Sequence, residues 1–124
     1  MAGIYGRTAT GGIPALVNSS GLLGTTSSSR RYKTNIQDMG EASSPMMRLR
    51  PVTFKYNPDR DPTGEPQFGL IAEEVQEVMP DLVVRDQDGQ PETVRYHVMT
   101  AMLLNELQKL QARLATLEAR CGGQ

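Results

Sequence analysis

Leu103-Leu104-Asn105-Glu106-Leu107-Gln108-Lys109-Leu110-Gln111-Ala112-Arg113-Leu114-Ala115-Thr116-Leu117 is the stretch from which the fold of this chain is read. Leu103, Leu107, Leu110, Leu114 and Leu117 recur at steps of four, three, four and three. That alternation puts all five on one helical seam, with Leu107 and Leu114 at heptad position a and Leu103, Leu110 and Leu117 at d. Gln108, Lys109, Gln111, Ala112 and Arg113 fill the other positions, so the stripe is narrow. A narrow stripe favours self-association over packing on the chain's own domain, which asks for a broader apolar face. The seam predicts a helix over about residues 98–120, frayed at Gly122-Gly123. Leucine at both core positions leaves two strands or three open. Arg113 at g can reach Glu118 at e of a neighbouring copy, a pair worth a few tenths of a kcal/mol at most.

The rest of the chain has little with which to build a core. Its 124 residues allow one modest domain plus an extension, and only 38% are hydrophobic and 5% aromatic, with no Trp. A chain this poor in large apolar side chains is expected to complete its core by oligomerising. The net charge of -1 gives no field that would recruit nucleic acid or an anionic membrane. No run approaches the roughly 20 apolar residues of a membrane span, and Met1 to Arg7 lacks the apolar centre of a signal peptide. Cys121 is the sole cysteine and His97 the sole histidine, so neither an intrachain disulfide nor a metal site is expected, and no cofactor motif is present. His97 is read as a partly buried structural residue ahead of a catalytic base.

The expected fold class is α+β: short strands and helices ending in the long helix, preceded by a fragment of β-rich stalk. Residues 1–27 are rich in Gly, Ser and Thr and carry no acidic residue. Ile4-Tyr5-Gly6 and Ala15-Leu16-Val17-Asn18 read as short strands, Asn18-Ser19-Ser20-Gly21 as a turn and Leu22-Leu23-Gly24-Thr25 as the returning strand. One hairpin cannot stand alone, so this region reads as the end of a longer stalk, or else as a linker. Residues 28–121 form the second domain. Ile36 to Met39 reads as a short helix or an extended arm. Ser44-Pro45 reads as an N-cap followed by proline at the first position of a brief helix over Met46, Met47 and Leu49, stopped by Pro51. Val52-Thr53-Phe54-Lys55-Tyr56 alternates as a strand, and Asn57 to Pro66 is a loop. Phe68-Gly69-Leu70-Ile71-Ala72 is a strand or a helix entry, and Glu73 to Met79 is a helix ended by Pro80. Leu82-Val83-Val84 and Thr93-Val94-Arg95-Tyr96 pair as a hairpin around Asp88-Gly89.

Chemistry enters at Ser27-Ser28-Ser29-Arg30-Arg31-Tyr32-Lys33-Thr34-Asn35-Ile36. A serine hydroxyl beside a neutral lysine amine supplies both nucleophile and base for breaking an acyl bond. Ser28 and Lys33 are candidates on type alone, and on that pair by itself a polar linker rich in Ser and Arg is the better reading, because short motif matches arise by chance.

Taken in order, the blocks resemble the auto-cleaving intramolecular chaperone domain at the C-terminus of phage endosialidases and tail fibres, with relatives in bacterial fibre-like proteins and myelin regulatory factors. The family motif S-[DS]-x-R-x-K-x-x-I is similar to Ser28, Ser29, Arg31, Lys33 and Ile36, with Ser29 where many members carry Asp. Leu49-Arg50-Pro51-Val52-Thr53-Phe54 resembles L-R-P-V-x-[FY], and Gly69-Leu70-Ile71-Ala72-Glu73-Glu74-Val75 resembles G-[FL]-I-A-[QE]-[ED]-[VL]. Val94-Arg95-Tyr96 stands where members carry V-[DNS]-Y, so Arg95 departs from the pattern. The resemblance spans residue 28 to about residue 119.

The resemblance implies a homotrimer whose folding client is the upstream β-stalk of the same chain. It implies self-cleavage at the Ser27–Ser28 bond, with Ser28 as nucleophile and Lys33 as general base, and Arg31 and Ser29 in support. A virion tail fibre, or the bacterial cytoplasm during assembly, would be its place. Competing readings are a trimerisation cap that is never cut, a nucleic-acid contact through Arg30, Arg31, Lys33, Arg48 and Arg50, and a hydrolase acting on an external substrate. For the last, the sequence offers no second nucleophile–base pair.

Overall fold

Asn18 turns the first hairpin. Strand β1 (Ala15–Val17) pairs antiparallel with β2 (Leu23–Thr25), Leu16 opposite Gly24. Asn18 Oδ1 accepts the backbone N–H groups of Ser20 and Leu22 at 3.1 and 2.9 Å, a side chain standing in for a backbone turn acceptor. Within the hairpin strands Leu16 is half-buried and the other residues are exposed. The strand expected at Ile4-Tyr5-Gly6 is instead a turn, in which Gly6 takes φ 77° and Arg7 donates its N–H to the Ile4 carbonyl. Left-handed backbone at that glycine is incompatible with an extended run. The computed structural model describes residues 3–122 and divides after Ile36 into two compact units, the first holding this hairpin and the Ser27–Ile36 run. Of the expected glycine fray, Gly123 lies outside the described residues.

Ile36 to Met39 carries no helix, so of its two readings the short helix falls. A 3₁₀ run then spans Gly40–Arg48, with Pro45 inside it. It starts four residues before the expected cap, so Ser44 caps nothing and its hydroxyl donates to the Glu41 carboxylate. Strand β3 (Val52–Phe54) pairs antiparallel with β4 (Gln67–Gly69), Thr53 opposite Phe68. Val52 and Phe54 share the half-buried face, while Tyr56 falls past the strand end with its ring edge-on to Phe54 at 5.2 Å. The ambiguous run 68–72 divides: β4 ends at Gly69 and helix α1 (Ala72–Val78) starts at Ala72. Pro80 opens a 3₁₀ turn, Pro80–Leu82, that leads into β5 (Val83–Arg85). β5 pairs with β6 (Pro91–Val94) across a turn in which Asp86 Oδ1 accepts the N–H groups of Asp88 and Gln90, each at 2.9 Å. Tyr96, expected in the strand, is the first residue of helix α2 (Tyr96–Gly122). His97 follows it and is exposed, against the expectation of partial burial, because its side of the helix faces away from the core.

Val75, Leu82, Val83 and Val94 form the buried cluster, with Leu49, Leu70, Met79, Val98 and Met102 packed around it. The sequence blocks meet in space around this cluster. Arg50 donates to both carboxylate oxygens of Glu74, at 3.0 and 2.7 Å. Tyr96 Oη accepts the Leu70 N–H at 2.9 Å and donates to the Leu70 carbonyl at 3.3 Å. Gly69 makes that approach feasible: a Cβ there would lie 2.8 Å from Tyr96 Oη. Among the described residues Met46 is the one other buried apolar side chain, so the core is small for its chain length.

Candidate functional site

Ser28 and Lys33 are brought together by one tight turn. The 3₁₀ turn Arg30–Tyr32 is closed by Tyr32 N–H donating to the Ser29 carbonyl at 3.1 Å and Lys33 N–H to the Arg30 carbonyl at 3.0 Å. Lys33 then adopts extended backbone, φ −126° and ψ 150°, which turns its side chain back along the turn. Lys33 Nζ donates to Ser28 Oγ at 3.0 Å. The same separation serves the reverse transfer once the amine is neutral, when its lone pair can accept the hydroxyl proton. Both residues are exposed, and among the described residues no carboxylate forms an ion pair with Lys33.

The supporting residues sit on the same turn. Ser29 is its N-terminal flank and contributes the carbonyl that closes it. Arg31 lies with its guanidinium carbon 4.6 Å from the Tyr32 ring centroid, a cation–π contact that stiffens the turn. Ser27, which would supply the carbonyl of the scissile bond, is exposed immediately before Ser28.

A second Ser–Lys contact exists that the sequence did not reveal. Lys109 Nζ donates to Ser44 Oγ at 2.8 Å, from 65 positions away in the chain. Its chemistry differs from that of Lys33. Lys109 also binds Glu106 at 2.9 Å and Glu41 at 3.2 Å. The Glu106 bond, and then Glu41, raise its pKa above the ordinary lysine value and keep it a cation. This pair ties α2 to the Gly40–Arg48 run.

Helix α2 presents two faces. Val98 and Met102 pack on the core, and Asn105, Glu106 and Lys109 bond to the Gly40–Ser44 segment. Roughly a third of a turn away, at 100° per residue, runs the leucine seam. Leu103, Leu107, Leu110, Leu114 and Leu117 are 55%, 64%, 48%, 56% and 54% exposed, so the chain's own fold does not use them. From Leu110 to Gly122 every residue is exposed. A helical segment of that length is marginal in water without a packing partner.

An open groove is floored by Leu49, Leu70, Ile71, Val75 and Val78, with Arg50 and Glu74 at its rim. No serine, cysteine, histidine or lysine lines it, so it lacks a nucleophile. Among the described residues no group of three His, Cys, Asp or Glu side chains could hold a metal ion, and no helix is long and apolar enough to cross a membrane.

Residues 28–84 match the model of a peptidase family described as chaperone of endosialidase. The match begins at Ser28 and includes Lys33, both blocks joined by the Arg50–Glu74 pair, and the start of β5. It ends before β6 and α2. No curated protein matches the chain.

Proposed function

We propose that this chain, whose residues 28–84 match the endosialidase-chaperone family model, associates as a homotrimer, holds the segments upstream of it in register while they fold, and then severs itself at the Ser27–Ser28 bond. The observation that carries the reading is the 3.0 Å contact between Lys33 Nζ and Ser28 Oγ, made at the first residues of the family match. Ser28 Oγ attacks the Ser27 carbonyl carbon while Lys33 takes the hydroxyl proton. Lys33 returns that proton to the α-amine of Ser28 as the bond breaks, leaving Ser27 esterified to Ser28 Oγ until water releases it. Because nucleophile and target are neighbours in one chain, proximity supplies an effective molarity of about 10⁵ M or more.

Taking that proton requires Lys33 in its neutral form. The exposed leucine seam on α2 supports self-association, and the small core supports it again. Three tethered copies raise the local concentration of their upstream segments to roughly millimolar. That matters for interchain β-structure, whose non-local contacts form slowly and aggregate easily. Once the tether is cut, unfolding of the released fibre is governed by a barrier and not by reversible equilibrium.

Mass spectrometry and N-terminal sequencing of the purified chain test this. A fragment beginning Ser28-Ser29-Arg30-Arg31 is expected, and Ser28→Ala or Lys33→Ala should each leave one species of full mass. Cutting that persists in Ser28→Ala refutes the mechanism. A native chain that trimerises but stays whole supports the uncut cap instead.

A further inference from the structure

Glu106 occupies a g position of the leucine repeat, where a carboxylate is ordinarily solvated beside a neighbouring copy. Here it is 8% exposed and turned into its own domain. Ser43, fully buried, donates its hydroxyl to Glu106 Oε2 at 2.6 Å, and Lys109 donates to the same oxygen at 2.9 Å. Asn105 Nδ2 donates to Ser43 Oγ at 2.8 Å and to the Gly40 carbonyl at 2.9 Å. Three residues from adjacent turns of α2 are thus bonded to the segment Gly40–Ser44.

These bonds are satisfied at one rotation of the helix. Turning α2 by roughly a third of a turn would place Leu103, Leu107 and Leu110 near the positions of Met102, Glu106 and Lys109. The core would gain leucines, but the buried Ser43 hydroxyl would lose its acceptor, and an unpaired buried polar group is costly. We infer that the Ser43–Asn105–Glu106–Lys109 cluster is a rotational lock, which denies the leucine seam to the chain's own core and reserves it for another copy. Fixing a register is the best-attested use of a buried polar network. The inference rests on the self-association reading above.

Sedimentation equilibrium and far-UV circular dichroism on the full chain test it. Glu106→Leu removes the acceptor and adds apolar surface beside the seam. Its helix content should persist while its self-association weakens by about tenfold or more, or spreads over several stoichiometries. Glu106→Gln keeps an acceptor for Ser43 and should hold the native stoichiometry, with a loss of at most about threefold. The lock is overturned if Glu106→Leu assembles as the native chain does, if it loses its helix, or if both variants weaken alike. Leu114→Ala separates the two ideas. If it leaves assembly of the native chain unchanged, the self-association reading fails; if it weakens assembly while Glu106→Leu does not, the lock alone fails.

Discussion

Leu114→Ala puts a number on the seam. Leu114 lies in the half of α2 where every residue is exposed, and it is itself 56% exposed. Burying a leucine side chain fully stabilises by about 1.5–3 kcal/mol, so about 1 kcal/mol remains to be gained there on association. Alanine forfeits most of that gain and, as the best helix former, does not weaken the helix. In a closed threefold assembly the loss counts once per copy, about 2–3 kcal/mol altogether, or a roughly 30- to 150-fold fall in the association constant. Sedimentation equilibrium across a range of concentrations reads this, with circular dichroism checking that helix content at assembled concentrations is retained. Gln111→Ala, off the seam on the same helix, is the control and should leave the constant unchanged. Equal association in Leu114→Ala and the native chain would show that these leucines do not form the interface.

Acid should unfold the second unit through its carboxylates. The pKa of Glu106 is lowered by the Ser43 hydroxyl and then by Lys109, that of Glu41 by Ser44 and then Lys109, and that of Glu74 by Arg50. A depressed carboxylate contributes stability above its ordinary pKa of 4.5 and loses it as the pH falls through the lower folded value. Thermal melts should therefore hold steady from about pH 5 upward and drop below about 4.5, and Glu106→Gln should shrink that drop; an undiminished drop would remove Glu106 from the explanation. Gly69→Ala should cost about 1–3 kcal/mol by urea titration, since the new methyl would meet Tyr96 Oη at 2.8 Å. Tyr96→Phe removes that atom and leaves Tyr96 Cζ at 3.7 Å as the near contact of the ring, so the double variant should lose less than the two single losses added together. Strict additivity would show that the hydroxyl is not the obstacle.

Much of this architecture was legible in local patterns. Asn18-Ser19-Ser20-Gly21 and Asp88-Gly89 gave the two hairpin turns, because the chemistry of those turns is contained within a few residues. Leu103 to Leu117 gave a helix with an uncommitted seam, and the five leucines are exposed. Boundaries fared worse where tertiary bonds decide them. Tyr96 reads as a strand residue, yet its hydroxyl reaches back to Leu70 and its backbone starts α2. Ser44 reads as a cap, yet the 3₁₀ run opens at Gly40, whose φ of 56° marks its start. The Ser28–Lys33 contact was legible because its partners share one turn. Lys109 reads only as one of the residues off the leucine stripe, and its bonds and those of Glu106 to residues 40–44 have no local signature.

The nearness of Ser28 to Lys33 owes nothing to distant parts of the molecule: two backbone hydrogen bonds within the turn suffice. A chain that cuts itself by this pair would have oxygen and nitrogen in touch from the moment the turn forms. Geometry could not then serve as its safety catch. Restraint against premature scission would have to come from something other than the spacing of the pair.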